Sequence, residues 1–292
     1  TQMGIQISSE FTERHAVELI QMGAIGKVKE VHTFSNKKWG DMEPVPAKTD
    51  PVPEGFDWQK WLGTAEDRPF IAGYYHPGNW RKRRDFGTGT LGDMGCHMFS
   101  GWYRALDLTA PLSVKSTGPA PGKDNWAING RVEYLFPGTA YTEGKEVKVT
   151  WYDGPLSRPP AELKDKCGGS GIPGQGSIFI GTDGIMLFGH GARPLVYKDG
   201  KVAAVEYPKL EPRNHWMDFI DCIREGTKKP SANFDYAGPL TEAVLLGCLA
   251  SIFPNQELKW DAGALKFPDT PDANTFVGRS SYRSGWEIPG LV

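Results

Sequence analysis

The pattern of apolar and polar positions divides the chain into recognisable elements. In "SSEFTERHAVELIQMGAIG", Phe11, His15, Val17, Leu19 and Ile20 recur at helical spacing. Ser8 or Ser9 is placed to cap this helix, acids occupy its first turn, and Gly23 or Gly26 ends it. The preceding "TQMGIQ" reads as the end of a short strand, and "KVKEVHTFSN" alternates as a half-buried strand does. Residues 40–56 are rich in proline and form an extended loop, followed by a short helix at "DWQKWLG". "LGDMGCHMFSGWYRALDL" is helical, with Leu91, Met98, Trp102 and Leu106 along one side.

From 113 to 207 the pattern changes to strand after strand: "LSVKSTG", "AINGRVEYLFPG", "EVKVTWYDG", "GSIFIGTDGIMLFGHG" and "PLVYKDGKVAAVEY". "TDG" at 182–184 and "KDG" at 198–200 are hairpin signals between β-rich runs. Helices follow over about 214–226 and at "GPLTEAVLLGCLASIF", and the tail from 254 offers only aromatic anchors such as Trp260 and Phe267. The order predicts an α+β fold: a large open, predominantly antiparallel sheet with helices packed on one face.

Composition narrows the function without assigning it. The chain has 292 residues, 39% of them hydrophobic, enough to bury a sizeable core. A net charge of −2 with scattered basic residues gives no footprint for nucleic acid. The longest apolar run, around Ala243 to Phe253, is too short to span a bilayer. The four cysteines lie far apart, and no cluster has metal-ligand spacing, so neither a disulfide framework nor a metal site is expected.

Candidate chemistry concentrates between residues 74 and 97. Asp93 and His97 stand at i and i+4, on one face of a helix near its start. A carboxylate at that distance can fix an imidazole that transfers protons near neutral pH. The same spacing also suits a helix cap beside a core histidine. The loop before it, "YYHPGNWRKRRDF", brings Tyr75, Trp80 and Arg81 together, a mixture of aromatic faces and cationic donors that suits a sugar ring. "GTGTLG", residues 87–92, matches the glycine spacing of a dinucleotide fingerprint, but it follows a charged loop rather than a strand. Close backbone approach and a bent entry into the helix are the expected use of these glycines. Asn214 is a natural cap, and His215 beside it is a further candidate for ligand binding. His190 reads as part of a glycine turn.

Five stretches together resemble the Gfo/Idh/MocA family of NAD(P)-dependent sugar oxidoreductases: "TQMGIQ", "AVELIQMGAIGKVKEVHTF", "GTGTLGDMGCHMFSGWYRAL", "NHWMDFIDCIREG" and "SANFDYAGPLTEAVLLG". The resemblance implies that Asp93 and His97 are the catalytic pair, with His97 accepting the proton of the sugar hydroxyl. It also implies that Tyr75, Trp80, Arg81 and His215 bind substrate, and that Gln2 and Met3 lie beside the nicotinamide. Residues 1–24 then correspond to the end of an N-terminal Rossmann domain (last strand and linking helix), and 25–292 to the substrate-binding and oligomerisation domain. The nucleotide fingerprint and the family's Glu-Lys-Pro lysine have no counterpart here. Most of the NAD or NADP site is therefore expected upstream of Thr1, as is any leader that would decide between cytoplasm and periplasm. A homo-oligomer formed through apolar side chains of the open sheet face is expected on the same grounds. Two alternatives remain at this point: a free-standing carbohydrate-binding or assembly protein lacking the cofactor domain, or a non-redox sugar lyase or hydrolase using the same pair.

Overall fold

The structure, a computed structural model, describes residues 1–169, 171–279 and 281–290. Its helices are α1 (Phe11–Gln21), α2 (Trp58–Leu62), α3 (Gly89–Ala105), α4 (Glu162–Lys166), α5 (His215–Glu225), α6 (Phe234–Ala250) and α7 (Pro271–Asn274). Its strands are β1 (Val28–Ser35), β2 (Ser113–Ser116), β3 (Arg131–Pro137), β4 (Glu146–Asp153), β5 (Gln175–Gly181), β6 (Ile185–Gly189), β7 (Leu195–Lys198), β8 (Lys201–Val202) and β9 (Glu257–Lys259). They form one nine-stranded sheet in the order β8-β7-β6-β5-β1-β4-β3-β2-β9. Among the described strands only β1 and β4 pair in parallel, so the expected α+β class is the one observed. Asp199 and Gly200 both take positive φ between β7 and β8, as a tight hairpin turn requires.

Alternation along the strands sorts side chains between the two faces. Val31, Val149, Trp151, Phe179 and Met186 point to one face and join Phe99 and Trp102 of α3 and Leu240 and Val244 of α6 in the main core. Gly247 lets α6 lie close to the sheet, since a Cβ there would stand 1.7 Å from the Tyr134 hydroxyl. The opposite face is divided. Phe34, Ile178, Leu187 and Tyr197 cluster with Leu163 and Cys167 from α4 and its end, so one short helix covers this apolar portion. The remainder carries Arg131, Glu133 and Lys148 in ion pairs, and His32 bonded to the Tyr152 hydroxyl. The portion without a helix thus carries charged side chains in ion pairs.

Several boundaries differ from the pattern-based expectation. Thr1 to Gln6 is not a strand. Met3 N–H donates to the Ala232 carbonyl, and a 3-10 turn spans Gln6–Ser9, because no neighbouring strand offers this stretch a ladder. Neither Ser8 nor Ser9 caps α1, since both are buried and the Ser9 hydroxyl is bonded to His215 Nδ1. α6 starts at Phe234, earlier than the apolar run, because Asn233 accepts from Asp235 N–H as its cap. The tail supplies the edge strand β9, which apolar spacing over three residues is too short to reveal. No helix among the described residues is long and apolar enough to cross a membrane.

Candidate active site

The site is built at the head of α3. Gly89 enters the helix at φ +66 with the Trp126 ring against it, and a Cβ on Gly87 would meet the Arg81 backbone at 2.7 Å. The glycines of "GTGTLG" therefore serve close packing. The segment follows a 3-10 turn and loop, and the next strand, β2, is antiparallel to both its neighbours. That is not the strand–helix–parallel-strand context that a dinucleotide cradle needs.

Asp93 lies on the first turns of α3, where Arg81 Nε donates to its Oδ1 at 2.6 Å. The Arg81 guanidinium packs on Trp80, 4.6 Å from the ring centroid, and on Trp39 at 5.1 Å. Cation–π contact with two rings fixes the donor without using all of its N–H groups. A cavity of about 490 Å³ opens here, lined among others by Trp80, Arg81, Arg84, Asp85 and Asp93. One turn on, the His97 ring is half-buried and its Nδ1 has no hydrogen-bond partner among the described residues. Burial lowers the pKa of His97, and the Asp93 carboxylate works against that shift. Edge-on to His97, with ring centroids 5.9 Å apart, lies His190. Burial first, and then the like charge of His97, push His190 down to about 4. The two rings cannot comfortably hold two protons, so His97 takes the first and His190 stays neutral near neutral pH. The structure thus brings Asp93, Trp80 and Arg81 to one cavity, sets His97 one helical turn beyond Asp93 and outside that cavity's lining, and adds His190, which sequence reading left in a turn. Its only sequence signal was a histidine between two glycines after a strand.

Two expected ligand contacts stand elsewhere. Tyr75 is only 3% exposed, packed with Trp58 at 5.3 Å and Phe86 at 5.5 Å in an aromatic cluster. It borders a different cavity from the one at Asp93. His215 is 4% exposed, with Nδ1 at 3.0 Å from Ser9 Oγ and Nε2 at 3.0 Å from the Met3 carbonyl. Neither nitrogen is open to a ligand, and the ring ties the start of α5 to the N-terminal stretch. Replacing His215 with Ala is accordingly expected to lower stability by about 1–3 kcal/mol, the cost of leaving buried partners unpaired. Ligand affinity should not change. Denaturant unfolding beside a ligand titration checks this, and a variant of normal stability that binds poorly would reverse the assignment.

Gln2 and Met3 border a third cavity, an apolar groove of about 1120 Å³ along α6 that also reaches Thr88 and Arg84. Gln2 Nε2 donates to the His215 carbonyl, while its Oε1 is buried without a partner among the described residues. These two residues could form one lip of a nucleotide site. They do not amount to a cradle, and the described residues by themselves do not fit a dinucleotide. No group of three or more metal-ligating side chains occurs among the described residues.

Comparison with known proteins places this arrangement in context. Residues 18–158 match the profile described as an oxidoreductase family, C-terminal alpha/beta domain. Among solved structures, a Thermotoga maritima protein described as an oxidoreductase is 17% identical, with a TM-score of 0.54 over 88% of this chain and 62% of its own. The aldose-aldose oxidoreductase of Caulobacter crescentus, complexed with glycerol, is 15% identical, with a TM-score of 0.52 over 88% of this chain and 63% of its own. At such identity the likeness is one of fold. The chain spans less than two thirds of the length of either. No curated protein matches the chain.

Proposed function

Because residues 18–158 match the profile of the Gfo/Idh/MocA oxidoreductase family, we propose that this chain is the substrate domain of an enzyme that oxidises a sugar hydroxyl to a carbonyl. The observation that carries the reading is the Arg81–Asp93 pair on a cavity beside Trp80, with His97 one helical turn beyond Asp93 on α3. Oxidation of an alcohol releases one proton from the hydroxyl and one hydride from the carbon. The residues of this chain serve the proton. His97 is neutral near neutral pH, and a neutral imidazole can accept the hydroxyl proton in the transition state. Asp93, held by Arg81, favours the imidazolium that results. Trp80 and the guanidinium present the apolar face and the donors that a sugar ring needs.

The electron acceptor implied by the family is NAD or NADP. Its cradle belongs to a separate nucleotide-binding module, which the exposed apolar face of α5 is suited to receive. Trp216 is 63% exposed there and Ile223 61%. The aldose substrate in the name of the Caulobacter crescentus protein is in keeping with a sugar in this cleft. The direct test is reduction of NAD or NADP by the whole protein with a panel of sugars, and no reduction with any of them would overturn the reading.

A finer expectation concerns the carboxylate. In an Asp93→Asn variant the charge that raises the His97 pKa is gone, so its titration, followed by NMR of the imidazole, should move further below the ordinary histidine value. Since the base acts when neutral, the limb of kcat/KM that falls toward acid pH should move to lower pH with it. An unmoved midpoint would separate Asp93 from His97.

A further inference from the structure

Asp85 lines the cavity at Asp93. That carboxylate also lines a second chamber of about 1000 Å³, formed by the loops around residues 45–49 and 65–71. Small-ligand pockets run from roughly 300 to 1,000 Å³, so the first chamber alone holds one sugar and the second adds room for more. The Arg68–Asp85 ion pair stands at the junction, with the Arg68 guanidinium 5.2 Å from the Phe86 ring centroid. Trp58 Nε1 donates to the Arg68 carbonyl at 2.8 Å, which ties this junction to the aromatic cluster that contains Tyr75.

The chemistry of the second chamber is that of a polyol site. Four cationic side chains, Lys48 and Arg68 among them, share the lining with four carboxylates, Glu66 and Asp85 among them. Paired donors and acceptors without net charge suit hydroxyl groups, whereas a phosphate or carboxylate ligand calls for a cationic excess. The groove along α6 also touches Asp85, but Leu245, Ile252 and Phe276 line it. A hydrated saccharide would lose its hydrogen bonds there without replacement. Building on the sugar-oxidising reading, we infer that the substrate is a neutral oligosaccharide or glycoside, with the reacting sugar at Asp93 and the next unit beyond Asp85 in the chamber bordered by Lys48, Glu66 and Arg68.

Affinity is to be measured by saturation-transfer NMR and calorimetry on the full chain, with neutral mono-, di- and trisaccharides of gluco, galacto and manno configuration. In one configuration at least, the disaccharide should bind about tenfold more tightly than its monosaccharide. Arg68→Ala should abolish that gain and leave monosaccharide binding unchanged. Because Arg68 also packs on Phe86, a second variant combines Lys48→Ala with Glu66→Gln. Both of those side chains are exposed, and neither holds an element of the fold. The same loss of length preference is expected. Monosaccharides that bind as tightly as their oligomers, or a gain that survives both variants, would overturn the extended site and leave the sugar reading intact. Failure of every saccharide to bind would remove the sugar reading itself.

Discussion

Replacing His97 with Ala is expected to reduce turnover of the whole protein by about 10²–10⁴-fold, the usual contribution of a positioned general base. Sugar affinity should stay within about threefold of the original, because the base gains its interaction only as the proton moves. The reason lies in the surroundings of the ring. Its Nδ1 has no partner among the described residues, its neighbour His190 is held neutral, and the one charge that influences its pKa is that of Asp93. A side chain so placed contributes little to stability, so loss of rate without loss of fold is the signature to seek. Assay of NAD or NADP reduction alongside thermal unfolding distinguishes the two. Undiminished turnover in a folded variant would exclude His97 from the chemistry.

Glu13 is expected to produce the largest effect on stability. It projects from α1 toward α3 and is 1% exposed. Ser100 Oγ donates to its Oε1 at 2.6 Å, and its Oε2 has no partner among the described residues. Arg104 lies near enough to act on it through space, and its cation also faces the Tyr236 ring at 3.8 Å. Burial outweighs the help of Ser100 and Arg104 and pushes the carboxyl from 4.5 up to about 7. A group with a raised folded pKa supports the fold fully below its unfolded pKa and loses that support as pH rises through the folded one. Between about pH 4.5 and 7 the unfolded chain ionises at Glu13 while the folded chain does not. At pH 8 this costs about 3 kcal/mol. Glu13→Gln removes the titration, so the variant should match the parent near pH 4.5 and exceed it at pH 8 by roughly that amount. Urea unfolding of both proteins at the two pH values measures the difference, and a gap independent of pH would show that Glu13 is ionised in the fold. Asp153, pushed to about 6 by burial against its bonds from Trp151 and Gly130, bends the parent's profile in the same direction.

Glu13 also shows where pattern reading reaches its limit. An acid in the first turn of a helix reads as a solvated charge at the positive end of the dipole. Whether it is solvated depends on what lies above the turn, and here that is α3 with Ser100. Asn214 was legible as a cap because its partners, Trp216 and Met217, are two and three residues away. The buried state of its neighbour His215 depends on Ser9 and Met3, more than 200 residues earlier. Asp93 and His97 could be paired on paper because one helical turn joins them. His190 could not, because β6 has to end beside α3 before the two rings meet.

The amino-acid order by itself determined what depends on neighbours within a few turns or a hairpin: most helices and strands, the tight turns, and the shared face of Asp93 and His97. Apolar periodicity and capping act over that range and can be read directly. The tertiary structure alone decided the order of strands around β1, the burial of Tyr75, His215 and Glu13, and the meeting of three chambers at Asp85. Each of these depends on contacts between segments far apart in the chain, which form only when packing energy outweighs the entropy of closing the loops between them.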